Sequence, residues 1–69
     1  MAVLKVIEIL SDSKTSWEDA TKQAIERAND SVKNIRSAFV QHQTVTVKNG
    51  KIDQFRVNLK VTFEVGEAD

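Results

Sequence analysis

Residues 54–65 read QFRVNLKVTFEV and alternate without a break. Phe55, Val57, Leu59, Val61, Phe63 and Val65 are apolar, whereas Gln54, Arg56, Asn58, Lys60, Thr62 and Glu64 are polar. A period of two sends successive side chains to opposite faces, so the stretch reads as a β-strand with one face in a core. Just upstream, VKNGKI sets Asn49-Gly50 between β-rich runs, the strongest short signal for a two-residue type I′ hairpin turn. The incoming arm of that hairpin is IRSAFVQHQTVTVK, with Phe39, Val40, Val45 and Val47.

Working outward, VLKVIEIL near the N-terminus is a Val- and Ile-rich strand whose apolar residues fall on both parities, so cover is expected on both faces. SDSKTSWEDA then carries a helix start. Thr15 and Glu18 have capping-box spacing, Ser16 is an alternative cap, and Glu18 and Asp19 put negative charge in the positive first turn. Trp17, Ala20, Ala24, Ile25, Ala28, Val32 and Ile35 follow at steps of three and four, one apolar stripe whose alanines let a sheet approach closely, and the helix is expected to end near Asn34. The expected fold is α+β: β1-α-β2-β3, a three-stranded antiparallel sheet packed on one helix, in a single domain over residues 1–69. A helix of about five turns spans roughly 28 Å, and a twelve-residue strand about 40 Å. The hairpin therefore overhangs the helix and asks for a partner subunit.

Size points the same way. A domain of 69 residues removes only roughly 60% of its unfolded surface from water. There is no cysteine for disulfides or a Cys-based zinc site, and the single His42 cannot build a histidine cluster, so self-association is the remaining aid. Ten basic residues balance ten acidic ones, which argues against nucleic acid or an anionic membrane as a general partner. No apolar run reaches the length of a membrane span and MAVLKVIEIL lacks the marks of a signal peptide, so a cytoplasmic location is expected.

Catalytic signatures are weak. One histidine inside a strand and no cysteine leave a Ser-His-Asp arrangement without a local motif, and Gly50 and Gly66 do not form a phosphate-binding loop. The expectation is a protein that is not an enzyme. Trp17, in the first helical turn on the apolar stripe, reads as core. Asp12, Glu18 and Asp19 read as helix capping rather than as a calcium loop, because the spaced acidic pattern of an EF-hand is missing. His42 reads as a solvated or interfacial strand residue. Arg56 either grips an anionic or flavin edge with its planar fork or pairs with Glu64 or Glu67 of a neighbour.

KVIEI, TSWEDA, AIERANDSVKNI and FRVNLKVTFEV, in this order and spacing, resemble the dodecin family over nearly the whole chain. The resemblance implies a hollow homododecamer that binds and stores a small ligand, typically a flavin (FMN, FAD or riboflavin). In flavin-binding members a tryptophan near the start of β2 stacks on the isoalloxazine ring, and a glutamine early in β3 bonds its polar edge. Here those positions fall on Ser37 and Arg56, so both recognition residues are replaced. An aromatic platform contributes about 1–3 kcal/mol of stacking. The family also has members without that tryptophan, some described as calcium-binding, and the chain is similar to that branch. The implied pocket positions are Arg36, Ser37, His42 and Arg56, with Ser37 and Arg56 expected near one another; a calcium site or a purely structural shell is the alternative to flavin.

Overall fold

The computed structural model describes residues 2–66 and shows β1 (Val3–Ser13), α1 (Trp17–Ser31), β2 (Ile35–Lys48) and β3 (Lys51–Val65). The sheet has the order β1-β3-β2, and both outer strands run antiparallel to β3. β3 is central for a physical reason: Val57, Leu59 and Val61 are fully buried and belong where both neighbours and the helix can cover them. α1 packs on one face of the sheet, laying Ala20 and Ala24 on those three residues. Ile7 and Ile9 of β1, Ala38 and Val40 of β2, and Trp17, Ile25 and Ile35 close the core around them.

The hairpin turn forms at Asn49-Gly50 with φ of 54° and 74°, the positive pair that a type I′ turn requires. β3 reaches back to Lys51, three residues beyond the alternating stretch, and pairs Lys48 with Lys51 at the tip.

The helix takes the alternative cap at its start and departs from expectation at its end. Its N-cap is Ser16, not Thr15, and the Ser16 hydroxyl accepts the Asp19 N–H at 3.0 Å. Its last residue is Ser31: Val32 is already extended, with its N–H bonded to the Ala28 carbonyl at 2.9 Å, and Ile35 belongs to β2. No basic residue lies in the last turn and Asp30 sits there instead, so side-chain charge opposes the helix dipole where the helix stops. Asn34 takes φ of 64° in the short connection, and its carbonyl accepts the Glu64 N–H at 3.0 Å. Fifteen residues give a helix of about 22 Å in a molecule 51 Å long, so the overhang exceeds the expected one. Val45, Val47 and Ile52 stand exposed near the hairpin end.

β1 is covered on one face only. Ile7 and Ile9 pack on the core, while Val3, Leu4, Val6 and Leu10 are more than half exposed in the single chain.

Candidate functional site

The even-numbered residues of β3 point away from α1, and pairing extends their rows across the sheet. Val6, Thr62 and Ser37 form one row; Glu8, Lys60 and Phe39 the next; then Leu10, Asn58 and His42; then Asp12, Arg56 and Thr44. This outer face has an apolar margin, where Leu4, Val6, Leu10 and Phe39 stand exposed, and a hydrogen-bonded polar centre.

The centre is built by cross-strand pairs. Asn58 Nδ2 donates to Glu8 Oε2 at 2.8 Å, and Asn58 Oδ1 accepts from Gln41 Nε2 at 3.3 Å, linking all three strands. Arg56 donates twice to Asp12, Nε to Oδ1 at 2.7 Å and Nη2 to Oδ2 at 3.0 Å, the parallel fork that guanidinium and carboxylate favour. Those hydrogen bonds hold the Asp12 carboxyl below its ordinary range, with the guanidinium charge adding to the effect and desolvation opposing it. Arg36 Nε donates to Glu64 Oε1 at 3.0 Å at the far end of the face.

The four expected pocket positions all lie on β2 and β3, but one chain does not bring them together. Ser37 is exposed opposite Thr62, and Arg56 lies six residues away along β3. At about 3.3 Å per residue that is roughly 20 Å, so the expected Ser37 and Arg56 neighbourhood does not form within a chain. The two positions can meet only through different subunits. His42, exposed opposite Asn58, sits one row from Arg56, and Arg36 is tied to Glu64.

Within the chain Arg56 pairs with Asp12 and Glu64 with Arg36, whereas the expected pairing of Arg56 with Glu64 or Glu67 of a neighbour involves a second subunit, and Glu67 lies outside the described residues. Asp12 is correspondingly a strand residue, not a helix cap. No local signal could have revealed that partnership, since 44 residues separate the two. Glu18 and Asp19 do lie in the first helical turn. The Asp19 carboxylate accepts the buried Ser13 hydroxyl at 2.7 Å and the Gln23 amide, which holds its pKa low. Ser13 Oγ in turn accepts the Thr15 N–H at 2.9 Å, fastening the β1-α1 turn. Trp17 is half-buried, edge-on to Phe55 at 5.2 Å between ring centres, and its Nε1 donates to the Thr44 carbonyl at 2.8 Å. It pins the helix start to the hairpin, as a core tryptophan with a satisfied N–H does.

Two grooves flank α1. One of about 500 Å³ lies between the helix and β1, floored by Ile7, Ile9, Ala24 and Ala28; the other, of about 400 Å³, runs between Trp17, Thr21, Val40 and Gln43. Among the described residues no three carboxylate or imidazole side chains converge on a point that could hold a metal ion. Glu8, Asp12 and Glu64 are instead each bonded to a nitrogen donor on the next strand. One chain therefore does not fit calcium, which takes six to eight oxygens.

The dodecin family model matches residues 3–66. The chain belongs to the dodecin family. It is 43% identical over 68 residues to the calcium dodecin of Mycobacterium tuberculosis (strain ATCC 25618 / H37Rv), covering 99% of this chain and 96% of that one. The crystal structure of the calcium dodecin from M. tuberculosis, described as having a novel calcium-binding site, superposes with a TM-score of 0.82 at 44% identity, covering 97% and 96% of the two chains. The dodecin from Streptomyces davaonensis superposes with a TM-score of 0.91 at 24% identity over 96% and 97%, a likeness of fold. Among the described residues of this dodecin, no helix is long and apolar enough to cross a membrane.

Proposed function

We propose that this dodecin assembles into a closed homododecamer that binds and stores a small ligand between subunits, without converting it. The apolar margin of the outer face, the overhanging hairpin and the two free sheet edges all want cover that a second copy supplies. A cytoplasmic buffer with neither nucleic acid nor membrane as partner accords with the balanced charge.

The observation that carries the choice of ligand is the bidentate Asp12–Arg56 pair at the family's glutamine position. A guanidinium donates and never accepts, so it cannot stand in for an amide that does both at a flavin edge, and Ser37 offers no stacking surface. An ion is the favoured ligand, and calcium leads because the relative at 43% identity is a calcium dodecin. Since one chain lacks the oxygens, the site would combine carboxylates such as Glu8 and Asp12 from apposed subunits, each exchanging its Asn58 or Arg56 partner for the ion. Isothermal titration of the assembled protein with calcium should give saturable heat that Asp12→Asn weakens. Titration with no heat, by protein whose assembly is verified, removes the ion.

Flavin is the second reading, and Phe39 favours it. This ring is 63% exposed, two residues from Ser37 on the same strand and face, and could carry a planar ligand. Quenching of flavin fluorescence that Phe39→Ala abolishes in an intact assembly would support it over calcium.

A further inference from the structure

We propose that Asn49 is a self-modification site, where the side-chain amide is lost by attack of the following backbone nitrogen. The Gly50 nitrogen forms a bond to Asn49 Cγ and gives up its proton, the Cγ–Nδ2 bond breaks, and ammonia departs. Water then opens the resulting succinimide at either carbonyl, leaving Asp or isoaspartate at position 49. No oxidant, metal or cofactor enters.

Three features single this residue out among the chain's four asparagines. Its successor is glycine, so no side chain flanks the attacking nitrogen, and the space beside the Gly50 Cα is open within the chain. In a type I′ turn the closing hydrogen bond uses the N–H of the fourth residue, here Lys51, and leaves that of Gly50 free. Lys48 and Lys51 face one another across the tip, and their positive charge favours deprotonation of the Gly50 amide. The other asparagines lack this combination. Asn29 is held in α1 and Asn58 in β3; Asn34 also has positive φ, but β-branched Ile35 follows it.

Attack needs the Asn49 peptide to rotate out of its left-handed turn geometry, so the rate follows opening of the tip. The next pair inward, Val47 and Ile52, is 65% and 59% exposed in the single chain, so opening of the tip removes little apolar contact within the chain. Such openings lie at the low end of local unfolding free energies. The rate in the folded assembly should stay within about a hundredfold of that in denatured chain, about 2.8 kcal/mol. Opening through global unfolding would slow it by more than about a thousandfold. The two products diverge in effect. Aspartate sets a carboxylate between the facing lysines, whereas isoaspartate routes the main chain through Cβ and lengthens a loop that tolerates only two residues.

The test ages the assembled protein and urea-denatured chain side by side in mildly alkaline heavy-oxygen water. Cleavage after Phe39 and Phe55 isolates Asn49 in one peptide for mass spectrometry. The expected result is label at position 49 well ahead of positions 29, 34 and 58 in the folded sample, with the folded rate inside the hundredfold limit, and none at position 49 in an Asn49→Gly variant, which keeps the turn but has no side-chain carbonyl to attack. Label no faster at 49 than at the other three asparagines, or slowing by more than about a hundredfold against the denatured chain, overturns the proposal.

Discussion

Leu59→Ala removes the side chain at the centre of the core. Leu59 is fully buried, faces Ile9 on one side and Val40 on the other, and lies beneath Ala20 and Ala24 of α1. Such truncations cost about 2–5 kcal/mol, more where the surroundings cannot close over the cavity. Here closure is blocked twice. The helix lies on the buried β3 residues through Ala20 and Ala24, with its longer Trp17 and Ile25 already packed around that core, and β3 is clamped by hydrogen bonds to both neighbours. The upper part of that range, about 4 kcal/mol, is therefore expected. In a domain of this size each kcal/mol moves Tm by about 4–8 °C, so the drop should be about 16–32 °C. Because assembly and folding are linked, melts followed by circular dichroism must be compared at matched chain concentration. A drop under about 5 °C, with assembly unchanged, would mean that β3 does not hold its core by this contact.

Gly50→Val places a β-branched residue at φ of 74° and should cause misassembly or insolubility; an unchanged melting temperature would refute the hairpin geometry. Leu10→Ala, at a residue 64% exposed in the single chain, should shift the sizing profile toward smaller species, whereas a residue left in water would change stability by no more than about 0.5 kcal/mol. Ser37→Trp with Arg56→Gln should strengthen flavin fluorescence quenching, and an assembled double variant that binds no better refutes the transfer of the flavin site. Asp12 and Asp19 have pKa values lowered from 3.8, so their contribution is complete above the unfolded-state value and is lost as pH falls through the folded one. Asp12→Asn should flatten the acid side of the stability profile, and an identical acid transition would show that the Arg56 pair contributes nothing.

The legible parts of the fold were those set by local chemistry. Alternation from Gln54 to Val65 named the buried Val57, Leu59 and Val61 correctly, and Asn49-Gly50 set the hairpin because few other pairs accept two positive φ angles. The helix stripe was legible as far as Ala28 but overran its end, since Val32 and Ile35 continue the apolar spacing after the backbone has become extended. The site was less legible. Arg56 was recognised as a cation on the outer face, but its fork to Asp12 depends on β1 pairing with β3 across 44 residues, as does the Glu8–Asn58 bond across 50. Strand register separates Ser37 from Arg56 within one chain, so a pocket that joins these family positions depends on a second subunit, whose placement one sequence does not display.

Light scattering on freshly purified protein after size exclusion tests the central claim most directly. Twelve chains of 7.7 kDa give about 92 kDa, the mass expected at all working concentrations. A monodisperse, folded species of 7.7 kDa would contradict both the assembly and a ligand held between subunits.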